Sequence, residues 1–106
     1  MISPFVLLVD DEVPFVETMT KRLSKRQLTV IAAYSGREAL EKLEKNAVDV
    51  VILDVKMPGM DGIETLKEIK GAHPLVEVIM LTGHATVETA VEGMRLGAFD
   101  YLHEAL

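Results

Sequence analysis

Asp10, Asp11 and Asp54 are the residues of this chain best placed to do chemistry. Asp10 and Asp11 follow directly on an apolar run, FVLLV (5–9), and Asp54 closes a second, within VDVVILDV (48–55). Carboxylates drawn together repel and raise each other's pKa. A hard divalent cation resolves that conflict, and Mg²⁺ prefers a few carboxylate and carbonyl oxygens plus water. Thr82, just after VEVIML (76–81), would add a hydroxyl if it reached the same place. Each piece also has a plain structural reading. Asp10 and Asp11 suit the acidic start of a helix, Asp54 suits a solvated strand end, and MPGMDG (57–62) is a turn. The fold must decide whether the acids meet.

The elements that would position them alternate. FVLLV is a strand-length apolar run. Val16, Met19 and Leu23 then recur at helical spacing, with Lys21, Arg22, Lys25 and Arg26 closing the segment. LTVIAA (28–33) is β-branched and strand-like. Ser35 caps a helix, with Glu38 as its capping-box partner and Ala39, Leu40 and Leu43 as its apolar face. Residues 48–55 form the next strand. Ile63, Leu66 and Ile69 mark a third helix, ended by Gly71 and Pro74. Residues 76–81 are again a strand. Val87, Ala90, Val91 and Met94 mark a fourth helix, stopped by Gly97, and FDYL (99–102) is a fifth strand. This βαβαβαβαβ pattern predicts an α/β fold, a doubly wound parallel sheet covered by helices on both faces. In such sheets ligands sit beyond the carboxyl ends of the strands, where Asp10, Asp11, Asp54 and Thr82 all fall.

Composition narrows the classes. The 106 residues suffice for one domain, and 49% hydrophobic residues argue against disorder. The apolar runs are far too short for a membrane span, and no signal-peptide cleavage site follows the first of them. The absence of cysteine removes disulfides and thiolate metal sites and fits a cytoplasmic protein. A net charge of −6 disfavours nucleic acid or an anionic membrane as the partner. The basic cluster at 21–26 reads as a solvated helix end favoured by the dipole. His73, His84 and His103 are too widely spaced to suggest a metal site. The six methionines read as core filler.

LLVDDE (7–12), VILDVKMPGMDG (51–62), IMLTGHA (79–85) and GAFDYL (97–102) together resemble the receiver domain of bacterial two-component response regulators. The resemblance spans nearly the whole chain, with the motifs in order. It implies a flavodoxin-like, five-stranded parallel sheet in strand order 2-1-3-4-5. It implies a phosphoprotein of signal transduction in which Asp54 is the phosphoacceptor, taking a phosphoryl group from a phosphohistidine on a histidine kinase or phosphotransfer protein. Asp10, Asp11, Asp54 and the backbone carbonyl of Lys56 become the Mg²⁺ ligands, and Thr82 and Tyr101 the switch pair. An output domain or downstream protein would read the altered surface. Such a domain is not an enzyme beyond catalysing its own phosphorylation and dephosphorylation.

One position departs from the pattern. The family's fifth strand is followed by a lysine, three residues after the switch aromatic, and Glu104 stands there. A charge-assisted bond of about 1.5–3 kcal/mol would become a repulsion. The family's last helix is also missing. The expectation is therefore a receiver domain over 1–106, truncated after the fifth strand. One sheet face would then be under-covered and could drive homo-oligomerisation. A degenerate pseudo-receiver, acting as a phosphorylation-independent interaction module, is the alternative. A Mg²⁺-dependent aspartyl-phosphate phosphatase is disfavoured, because such enzymes need an acid two residues after the nucleophile, where Lys56 stands.

Overall fold

The computed structural model describes residues 4–55, 60–82 and 87–103, with the backbone alone at 82, 87–90 and 101–103. In chain order these form β1 (Phe5–Val9), α1 (Val13–Lys25), β2 (Thr29–Ala33), α2 (Gly36–Lys45), β3 (Val50–Leu53), α3 (Gly62–Ala72), β4 (Glu77–Thr82), α4 (Val87–Arg95) and β5 (Asp100–His103). The strands make one parallel sheet in the order β2-β1-β3-β4-β5. The first strand is thus internal. The chain turns to one side for β2 and to the other for β3, and the reversal falls between β1 and β3.

Strand alternation sends the two sets of side chains to opposite faces. Leu7, Val9, Val51, Leu53, Val78 and Met80 join Ala39 and Leu43 of α2 and Leu66 and Ile69 of α3 in one buried cluster. Val6 and Leu8 point the other way and are buried, as is Val16 of α1. That helix packs on β1 and β2. Farther along the same sheet face, Ile52, Ile79 and Leu81 are only half-buried.

Local chemistry sets the helix ends. Pro14 stands in the first turn of α1, where a missing N–H costs nothing. After α1 the chain closes through Gln27, whose φ of 64° is the left-handed conformation and whose N–H donates to the Ser24 carbonyl. Ser35 caps α2 by accepting from the Glu38 N–H at 3.1 Å. The expected reciprocal bond differs: the Glu38 carboxylate accepts from the N–H of Tyr34 rather than of Ser35. Asp61 caps α3, accepting from the Glu64 N–H at 2.9 Å. Past the other end of α3, the Lys70 ammonium donates to the carbonyls of Pro74 and Val76 and closes the turn into β4. Gly97, at a φ of 101°, makes the turn after α4 that a side chain would strain.

Several boundaries differ from the sequence reading. The run at 48–55 contributes only Val50–Leu53 to the sheet. Asp49 instead bonds Phe5 through both its N–H and its carboxylate, and Asp54 and Val55 bend away after the last ladder pair. Gly71 does not stop α3, which runs through Ala72; Pro74 lies just beyond the His73 C-cap. Phe99 precedes β5 and is 64% exposed, while His103, beyond FDYL, belongs to the strand. Strand β2, at the sheet edge, is only partly covered rather than buried on both faces.

Candidate functional site

The acids gather where the sheet reverses. Val9 of β1 and Leu53 of β3 are register partners, so the residues after them, Asp10 and Asp54, leave the sheet side by side. The Asp54 N–H donates to the Val9 carbonyl at 2.9 Å, and the Asp10 N–H to the Ala33 carbonyl at 3.1 Å. Carboxylate oxygens of Asp10, Asp11 and Asp54 lie within 4.8 Å of one another. Among the described residues this is the one group of three or more acid or imidazole side chains so arranged. Asp10 and Asp54 are each only 7% exposed, while Asp11 faces solvent.

Burial decides the electrostatics. It lifts the Asp10 carboxyl from an ordinary 3.8 to about 6. The Glu12 N–H, donating to Asp10 Oδ1 at 3.0 Å, opposes that rise, and the charges of Asp54, Asp11 and Glu12 reinforce it. A pocket that holds a carboxyl against ionisation beside two further carboxyls fits a small hard cation, whose charge offsets the desolvation and the repulsion together. The donors are all oxygens, as Mg²⁺ requires.

The other side of Asp54 is closed by α3. Gly62 donates its N–H to the Val55 carbonyl at 2.8 Å. Thr65, fully buried, donates its hydroxyl to the Asp61 carbonyl at 2.7 Å. The Thr65 bond is internal to the first turn of α3, and the Gly62 bond is what ties that turn to the segment carrying Asp54. In the sequence MPGMDG reads as a turn, with no part for Gly62. The available signal was the Asp61 cap three residues before Glu64, which fixes where α3 must begin.

Thr82 ends β4 and pairs with His103, and Tyr101 of β5 pairs with Met80, so both backbones lie in the sheet. Lys56 and Glu104 lie outside the described residues. His73 approaches Glu44 at 3.4 Å on the lower part of α2 and α3, and takes no part in the acid cluster. Lys21, Arg22, Lys25 and Arg26 are exposed at the end of α1.

A parallel α/β sheet of flavodoxin type, with a carboxylate cluster at its switch point, defines the class to which this chain's fold and site conform. The sequence profile of the response regulator receiver domain matches residues 6–104, and the chain belongs to that family. It is 43% identical over 101 residues to the transcriptional regulatory protein ZraR of Escherichia coli K12, a match covering 95% of this chain and 23% of that protein. It is 40% identical over 97 residues to the DNA-binding transcriptional regulator NtrC of the same strain, covering 92% and 21%. Among solved structures, the Vibrio cholerae chemotaxis protein CheY4 superposes with a TM-score of 0.93 at 33% identity, covering 99% of this chain and 89% of that one. The chain thus spans about a quarter of the length of the regulators it matches. No described helix is long and apolar enough to cross a membrane.

Proposed function

We propose that this chain is a phosphorylation-dependent signalling receiver, with Asp54 as its phosphoacceptor. The observation that carries the reading is the meeting of Asp10, Asp11 and Asp54 within 4.8 Å at the carboxyl edge of the sheet. An Asp54 carboxylate oxygen attacks phosphorus as the N–P bond of a phosphohistidine breaks, and the freed imidazole nitrogen leaves with its electron pair. Such transfers depend on positioning and charge neutralisation more than on covalent assistance. Asp10, Asp11, Asp54 and the Lys56 carbonyl would hold Mg²⁺, which when bound supplies the charge neutralisation that crowded carboxylates and an incoming phosphoryl group need. The histidine kinase would be the donor, and the remainder of a longer regulator, or a separate protein, the reader.

On modification the single charge of the Asp54 carboxylate is replaced by a phosphoryl group carrying roughly −1.5 to −2. Thr82 and Tyr101, in β4 and β5, are the residues proposed to respond. Incubating the chain with acetyl phosphate and Mg²⁺ should add one phosphoryl group by intact mass, and fragmentation should place it on Asp54. Omitting Mg²⁺ should suppress the reaction. Modification elsewhere, or none at all, would remove this reading.

Glu104 favours a second reading, a receiver that accepts the phosphoryl group but switches poorly, or serves as an interaction module without it. A ligand shifts an equilibrium only by its differential affinity for the two states, and an anion near the site would oppose the modified state. Glu104→Lys should therefore enlarge the phosphorylation-induced NMR shift at Tyr101 while leaving Asp54 the modified residue. An unchanged shift would mean that Glu104 is remote from the site.

A further inference from the structure

We propose that Gly62 is a positioning residue, whose missing side chain lets α3 press against the backbone of Asp54 and so sets how far that carboxylate reaches into the acid cluster. The inference rests on Asp54 and its neighbours being the metal-binding phosphoacceptor site.

The contact is between backbones. A Cβ on Gly62 would collide with the Asp54 carbonyl oxygen, and would lie 2.5 Å from the Val55 Cα and 2.9 Å from the Asp54 carbonyl carbon. Ordinary contact begins about an ångström farther out. No flexible side chain can turn aside to make room, so either α3 or the 54–55 segment must move. The segment is already held from the far side, where the Asp54 N–H bonds the Val9 carbonyl of β1. Asp54 is thus clamped between β1 and the first residue of α3. The 2.8 Å bond from Gly62 N–H to the Val55 carbonyl closes the clamp.

The choice of glycine is not conformational. Among the described residues the only glycine with positive φ is Gly97, so alanine could adopt the backbone at Gly62. Alanine would also favour the helix that begins there. The close approach to Asp54 is what excludes it. Gly36 supplies the natural comparison. It too opens a helix and is equally crowded, but against the hydroxyl of Thr65 and the side chain of Met60. Those are side-chain atoms, whose displacement would cost the Thr65–Asp61 hydrogen bond and core packing but would not move the backbone of the phosphoacceptor.

The test compares wild type, Gly62→Ala and Gly36→Ala in the same full chain. Thermal melts give stability. Mg²⁺ affinity is read from NMR amide shifts at residues 10–12 and 54–55, at a temperature where all three are folded. Acetyl phosphate modification is followed by intact mass. Both variants should melt earlier. Only Gly62→Ala should weaken Mg²⁺ binding, by about 10–100-fold, as lost orientation of a ligand typically does, and it should slow modification at matched Mg²⁺. Gly36→Ala should keep wild-type affinity. Equal losses in both variants, or a folded Gly62→Ala with wild-type affinity, would overturn the positioning role. If Gly62→Ala does not fold, the Mg²⁺ titration of the wild type decides. The Gly62 amide should then shift with the same midpoint as residues 54–55 while Gly36 stays still, and a stationary Gly62 amide overturns the proposal. A wild type that neither binds Mg²⁺ nor accepts a phosphoryl group removes the phosphoacceptor reading itself, and this inference with it.

Discussion

In the absence of metal, the stability of this chain should fall as the pH rises from about 4 to about 7, and Asp10→Asn should remove much of that fall. The sign follows from Asp10, whose carboxyl is raised from 3.8 to about 6 in the folded protein. Between those values the folded state holds a proton that the unfolded state has released, so raising the pH favours unfolding. The contribution is fully present below about pH 3.8 and is lost by the time the pH passes the folded value near 6. A separation of about two pKa units corresponds to at most about 3 kcal/mol. That amounts to some 10 °C or more in melting temperature for a domain of this size. Asparagine keeps an oxygen for the Glu12 N–H but carries no charge to desolvate, so the variant should be the more stable protein above pH 7. Mg²⁺ should recover the lost stability in the wild type, more at pH 8 than at pH 5, and recover little in Asp10→Asn. Melting curves from pH 4 to 8, with EDTA and with Mg²⁺, provide the measurement. Parallel pH profiles for the two proteins would mean that Asp10 ionises as freely folded as unfolded.

The second large effect belongs to the core beneath the site. Leu66→Ala should destabilise the chain by about 3–4 kcal/mol in urea unfolding. Leu66 is fully buried in α3, within the cluster that includes Met80, Val78 and Ile69. Opposite it stands Gly93 of α4, where even an added Cβ would come no closer than 3.9 Å to the Leu66 side chain. Gly93 has no side chain to fall into the space, so the vacated volume stays largely a cavity. Leu75→Ala, at a residue 92% exposed, should change stability by less than about 0.5 kcal/mol. A Leu66→Ala cost near that of the surface control would show that α4 or the sheet collapses onto the gap.

Much of the fold was legible because its signals are local and agree. Phe5–Val9 is apolar without interruption, as an internal parallel strand must be, and Ser35 with Glu38 announces a helix start within four residues. Asp10 and Asp54 could be placed together because both follow apolar runs in a chain that alternates strand and helix. What stayed hidden depends on how the elements settle in three dimensions, which spacing and composition do not encode. Nothing near Gly62 in the sequence tells that its Cα lies against Asp54, since that approach is created by the packing of α3 onto β3. Glu38 bonding to Tyr34 instead of Ser35 is a matter of how the chain enters α2, which a spacing rule does not specify. The early end of β3 reflects Asp54 and Val55 leaving the ladder for the site, although the apolar pattern runs on through Val55. The placement of His103 in β5 follows from its pairing with Thr82, a partner that composition cannot reveal.

The one-to-one register of Val9 with Leu53 bears on how the sequence can change in length. Side chains alternate across a strand, so deleting one residue within β1 or β3 would send every following side chain to the wrong face and part Asp10 from Asp54. The segments that return from helix to strand, at 26–28, 46–49, 73–76 and 96–99, all lie at the opposite edge of the sheet. Insertions there lengthen a loop at small entropic cost and leave the register intact. Added length is thus absorbed at one rim, while a single residue lost inside β1 or β3 is felt at the other, where the three aspartates meet.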